Sequence, residues 1–256
     1  MLNLFRYINI ILSKFSIMKR QIKNSKKQIW GMGALSLFSL LLSSCLKDTS
    51  TYVAPPVALV TFYQASPDEP AMNLDLNTNQ VNQTPIYYGD DIDYFRAYAG
   101  QRTVNLFYTN SLTTIATTTV TLLPNAAYSL FLANTAANPQ IVLLKDTLNR
   151  PAAGNAGIRL VNLSPDAPAV DLAVQGGSVL ASNRAFKGFS SFLPLTANSS
   201  YTFQILQAGT NNVLATLPNV AINSGFVYTI LFHGLANTTN SGDKLAADLI
   251  TNAYFY

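Results

Sequence analysis

Two stretches about a hundred residues apart carry nearly the same message: ASPDEPAMNL at 65–74 and LSPDAPAVDL at 163–172. Ser66, Pro67, Asp68 and Pro70 match Ser164, Pro165, Asp166 and Pro168. Proline presets φ for a tight turn, and a flanking Ser or Asp bonds back to the turn backbone. The second proline lacks an N–H where a new strand begins, which is tolerated at a first strand residue or an edge. The following AVDLAV alternates, placing Val170, Leu172 and Val174 inward and Asp171 outward. The motif therefore reads as a strand, a sharp corner and a strand, and its repetition predicts two copies of one β-domain.

The rest of the chain supports a period of two. VALVTFY (57–63), RTVNLFY (102–108), AAYSLFL (126–132), YTFQIL (201–206) and FVYTILF (226–232) are rich in β-branched and aromatic residues. Turn-forming clusters separate such runs every 8–12 residues, the signature of an all-β sandwich. At an offset near 98, Gly89 aligns with Gly188, Phe95 with Phe192 and Tyr128 with Tyr228. LKDTLNRPAAGNAG (144–157) accumulates breakers and marks the boundary. The predicted fold is all-β, with two tandem immunoglobulin-like antiparallel β-sandwiches at 57–146 and 157–256, joined by a linker at 147–156.

Residues 1–44 read as a leader. Met18 opens the cationic MKRQIKNSKK, followed by an apolar run ending in SSC. That run is about 14 residues, short of the roughly 20 needed to span a bilayer. Residues 1–17 are read as an early start codon, the alternative being an extended leader. Seven of the sixteen Lys and Arg residues lie in this leader; from residue 45 onward nine cations face twelve carboxylates, a net charge of −3. The overall charge of +4 is thus no footprint of nucleic-acid binding.

LSSC, Leu42 to Cys45, resembles the lipobox of bacterial lipoproteins, which are cut before the cysteine and acylated there. Cys45 is the sole cysteine, so no disulfide forms within the chain. The resemblance implies anchorage through two or three acyl chains, far firmer than one chain provides. Leu46 rather than Asp after the cysteine argues against inner-membrane retention. CLKD, through Lys47 and Asp48, resembles the export signal of surface lipoproteins in the Bacteroidetes, with Thr49 where a second acid is usual. Residues 45–56 then form a lipidated tether, stiffened by Pro55 and Pro56. From IRLVNLSPDAPAVDLAVQGG through SYTFQIL to VYTILFHG, copy two resembles the bacterial domain of unknown function 4397. Copy one is similar in ASPDEPAMNLDL and looser beyond. The resemblance implies tandem sandwiches in secreted or lipid-anchored proteins, and no assigned activity.

The chemistry-bearing candidates are few. YYGDDIDYF (87–95) crowds Asp90, Asp91 and Asp93 into a turn where copy two has FKGFSSF. Clustered carboxylates suit a hard cation such as Ca²⁺, although the fixed glycine and closing glutamate of an EF-hand are missing. The leading reading is a solvated acidic loop. A third places Tyr87, Tyr88 and Tyr94 with these acids in a patch that stacks on a sugar or protein ligand. His233, the one histidine, lacks further His or Cys partners for zinc and is read as a strand-end residue. DTL, 146–148, resembles a Bacteroidetes O-glycosylation site at Thr147. With no elbow serine or phosphate loop, no catalytic residues are assigned. The sequence thus predicts a non-catalytic outer-membrane lipoprotein, facing the cell surface or the periplasm. Its predicted role is to bind, adhere or assemble through loops. Its partner would be an envelope protein or, as the alternative, an extracellular glycan captured for uptake. A carboxylate-based hydrolase is the third reading.

Overall fold

The computed structural model of the protein describes residues 53–256; Cys45, Lys47 and Asp48 lie outside them. The first lobe holds β1 (Val57–Gln64), β2 (Met72–Leu76), β3 (Asn79–Gln80), β4 (Asp91–Tyr98), β5 (Gly100–Tyr108), β6 (Thr114–Leu122), β7 (Ala127–Ala133) and β8 (Gln140–Asp146). The second holds β9 (Asn155–Asn162), β10 (Val170–Val174), β11 (Val179–Arg184), β12 (Leu193–Thr196), β13 (Asn198–Gln207), β14 (Val213–Ile222), β15 (Phe226–His233) and β16 (Ala246–Tyr254). Each lobe is a sandwich of two four-stranded sheets. The orders are β4-β1-β7-β8 over β3-β2-β5-β6, and β12-β9-β15-β16 over β11-β10-β13-β14. Adding eight to each strand number turns one lobe into the other, so the duplication reaches the topology. Among the described residues no helix is long and apolar enough to cross a membrane.

Each sandwich has its own core. Val60, Phe62, Leu74, Leu106 and Leu130 fill the first, and Ile158, Leu172, Phe203, Ile230 and Phe232 the second. The central strands explain why AYSLFLA and FVYTILFH read as continuous apolar runs rather than clean alternations. β1 pairs in parallel with β7, and β9 with β15. One face of each pair packs on its own sandwich while the other is covered by the opposite lobe, so both faces exclude water. Tyr63, Phe131, Leu144, Val161, Leu163 and Leu231 form that third apolar cluster between the lobes.

The repeated corner is explained by its hydrogen bonds. Gln64 and Asn162 turn back so that their side-chain oxygens accept from Ser66 N and Ser164 N at 2.5 and 3.0 Å. Asp68 and Asp166 then tie the corner to the loop after the last parallel strand, accepting from Ala136 N and Ala236 N, each at 2.8 Å. The Tyr128 and Tyr228 hydroxyl oxygens both accept from a backbone N–H five residues upstream, at 3.0 and 3.3 Å. This is the same device as the tyrosine corner of immunoglobulin-like sandwiches.

Two sequence alignments shift by one residue, and one expected orientation is reversed. Gly89 N and Lys187 N donate to Gln64 O and Asn162 O, so Gly89 matches Lys187, one residue off the glycine alignment. Both adopt positive φ, 85° and 64°; a lysine holds the strained conformation in copy two. Likewise Val60 pairs with Phe95 and Ile158 with Leu193, which makes Phe192 the counterpart of Tyr94. Asp171, expected outward, is buried; its carboxylate accepts from Asn183 N of β11 and Gly209 N of the β13–β14 loop at 2.7 and 3.0 Å.

Candidate functional site

The seam between the lobes holds the buried ion pair and its hydrogen-bonding cage. Asp146, the last residue of β8, meets Arg159 of β9 at 2.6 Å with both side chains essentially sealed from solvent. Arg159 also donates to Ser129 Oγ and Thr229 Oγ1, and its guanidinium lies 4.4 Å from the centre of the Phe192 ring. Ser129 donates to Asp146 at 2.8 Å, and Thr229 to Asn252 at 2.6 Å. Tyr94 donates to Asp146 and accepts from Asn252 across the seam. Burial beside this carboxylate pushes the Tyr94 hydroxyl well above the ordinary phenol range. A buried charge needs such a satisfied cage, and here the cage joins two sandwiches.

At one edge the seam opens. Tyr63 donates to Asp248, whose carboxylate also lies 3.0 Å from His233 Nε2; the other ring nitrogen of His233 is 2.5 Å from the Tyr88 hydroxyl. His233 and Asp248 come from one lobe, and Tyr63 and Tyr88 from the other. The hydrogen bond to His233, offset in part by burial and reinforced by Tyr63, holds Asp248 below the usual carboxylate range. Burial, then the nearby Asp248, push the Tyr88 hydroxyl upward. Outside this chain lies a polar cleft of about 440 Å³ lined by Tyr63, Gly89, Asp91, Asp93, Asp248 and Thr251. It shares Gly89, Asp91 and Asp93 with a recess of about 640 Å³ bordered by Asn82, Gln83 and Thr84. Burial and the neighbouring Asp93 and Asp90 raise the Asp91 carboxyl.

The structure thus separates the residues of YYGDDIDYF. Tyr87 is exposed; Tyr88 and Tyr94 spend their hydroxyls inside the seam. Asp91 and Asp93 face the cleft, whereas the Asp90 carboxylate accepts from Tyr87 N at 2.9 Å. Among the described residues no group of three or more His, Cys, Asp or Glu side chains is placed to hold a metal ion. Thr147 is exposed while Asp146 of the same tripeptide is buried. Sequence reasoning missed Asp248, Arg159 and the seam role of His233. A lone histidine at a strand end was the available signal, but its partners are 15 and 145 residues away.

Residues 58–173 match the sequence profile of Domain of unknown function (DUF4397). The match covers a little under half of the chain and is a similarity to that family. The DUF4397 match runs from β1 through the linker into β10 and therefore crosses the seam. No curated protein matches the sequence. Among solved structures, one similar chain is CBMbc, a family 26 carbohydrate-binding module from Eubacterium rectale Amy13K, in complex with maltoheptaose. It is 8% identical, with a TM-score of 0.24 over 77% of this chain and 97% of that one. Another, described as alpha-glucan binding by a streptococcal virulence factor, is 12% identical, with a TM-score of 0.24 over 76% and 97%. Likenesses of this size carry nothing about a ligand to this chain.

Proposed function

We propose that the protein is a non-catalytic binding module of the cell envelope, anchored to the outer membrane by lipid on Cys45 and exported by the Lys47–Asp48 signal. It engages its partner through the acid-lined cleft and the loops around it. The observation behind this reading is that the cleft is walled by both lobes, which the Arg159–Asp146 cage and the apolar seam hold together. A preorganised cleft loses little entropy on binding. The His233–Asp248 pair does not suit base catalysis on an outside substrate, since the imidazole is buried and the hydroxyl it faces belongs to Tyr88 of the protein itself. Tyr88 is shifted away from the deprotonated form a nucleophile needs.

Pull-down from native envelope with the wild type and with Asp91→Asn/Asp248→Asn tests the site. A specific partner retained by the wild type and lost by the variant is expected; identical recovery by both removes the cleft from the proposal. Palmitate labelling should mark the wild type and spare Cys45→Ser, and protease shaving of intact cells reads surface against periplasm.

A second reading, capture of an extracellular glycan, is favoured by one observation: Tyr87 keeps its ring in solvent next to the acidic loop. Glycan-array binding that falls in Tyr87→Ala supports it. Binding indifferent to that change assigns the sugar elsewhere.

A further inference from the structure

We infer that the end of the body from which the tether emerges is a membrane-docking face for an anionic lipid surface, leaving the acid-lined cleft directed away from the bilayer. This rests on the lipid-anchor reading above and adds an orientation to it. The chain enters β1 at Val57 through Pro55 and Pro56. β4 runs antiparallel to β1 and ends there, with Tyr98 opposite Val57 and Arg96 opposite Leu59. Asn125 N donates to Val57 O, bringing the β6–β7 loop and Leu123 to the same end. Arg102 is pinned there, donating to Tyr98 O and Ala99 O at 2.7 Å each.

The second lobe presents its matching end alongside. Asp146 meets Arg159, and Tyr94 meets Asn252, level with the middle of β1 and β9, whereas Tyr63 meets Asp248 near the far ends of the same two strands. The two lobes therefore lie in parallel, and Phe226, Tyr254 and Tyr256 flank the tether end too. They form an aromatic row with ring centres 5.7 and 5.1 Å apart. Tyr98 is 55% exposed, Leu123 49%, Tyr254 56% and Tyr256 95%.

Charge follows the same axis. Arg96, Arg102, Lys145 and the linker residue Arg150 lie toward the tether end. The carboxylates of the two corners, the acidic loop, Asp243 and Asp248 lie at the other, where they outnumber Arg184, Lys187 and Lys244. Exposed tyrosines and leucines with arginines are the composition that settles at a headgroup layer, rings at the interface and guanidinium groups on phosphates. The ten residues 45–54 would reach about 35 Å if extended, so an anchor at Cys45 permits contact without enforcing it. The face decides the orientation.

Trp30 in the leader is the only tryptophan of the chain, so an introduced tryptophan reports its own depth once the parent protein is subtracted as blank. Lipidated Leu123→Trp and Tyr87→Trp are reconstituted in phosphatidylglycerol-containing vesicles doped with brominated phosphatidylcholine. Quenching and a blue shift at 123, with neither at 87, are expected, and Arg96→Glu/Arg150→Glu should abolish the quenching at 123. Unchanged near-ultraviolet dichroism confirms that the variants are folded. Membrane-bound protein with equal quenching at the two positions overturns the docking face while the anchor stands. Protein that carries no palmitate label and leaves the vesicles ends both.

Discussion

Arg159 and Asp146 lie only 13 residues apart in the chain but belong to different sandwiches, and their 2.6 Å contact is a fully buried ion pair between the lobes. The desolvation of both charges is offset only because Ser129, Thr229, Asn252, Tyr94 and the Phe192 ring complete the cage. Removing one partner leaves the other charge buried and unmatched.

Arg159→Ala or Asp146→Ala should therefore lower unfolding free energy by about 3–5 kcal/mol, whereas Arg159→Met/Asp146→Leu should cost much less. Urea denaturation of the three proteins checks this. A double variant as unstable as the singles removes the unmatched-charge explanation.

Acid stability should depend on Asp248. Its folded pKa is depressed, so its contribution is present above the unfolded value near 3.8 and is lost as pH falls through the folded value. Asp248→Asn should flatten the urea midpoint in that acid window. Glu69, buried at the first corner, has the opposite sign: burial raises its carboxyl. Its contribution is present below the unfolded value near 4.5 and lost as pH rises through the folded one. Glu69→Gln should relieve that loss at neutral pH.

The two corners should differ in depth. Asp68 accepts from Ala136 N, while Asp166 accepts from Ala236 N and from both nitrogens of Asn237. Asp68→Ala should cost about 1 kcal/mol and Asp166→Ala about 1–2 kcal/mol. Thermal unfolding with the order reversed would contradict the assignment.

Tyr128→Phe and Tyr228→Phe each orphan a backbone N–H, of Leu123 and Asn223. Each should cost about 1 kcal/mol, measured by chemical denaturation, and faster amide exchange at that N–H should accompany the loss.

The all-β class, the doubling and the corner were legible because they are local: proline geometry, period-two alternation and the spacing of tyrosines repeat along the chain. Alignment by residue type still slipped by one at Gly89 and Phe95. A left-handed turn can be held by lysine, and a phenylalanine can match a tyrosine that faces the seam. The acidic loop was visible, but its division into an exposed Tyr87 and seam-bound Tyr88 and Tyr94 was not.

By itself the sequence determined two sandwiches and the place of six of their strands, because hydrophobic alternation and turn chemistry act over a few residues. Only the tertiary structure decided that one lobe packs its central parallel pair on the other, that Arg159 finds Asp146, and that Asp248 joins His233 and Tyr63 at a shared cleft. Those contacts depend on which sheet face is left uncovered after each sandwich closes, and face-to-face docking leaves no period in the chain to read.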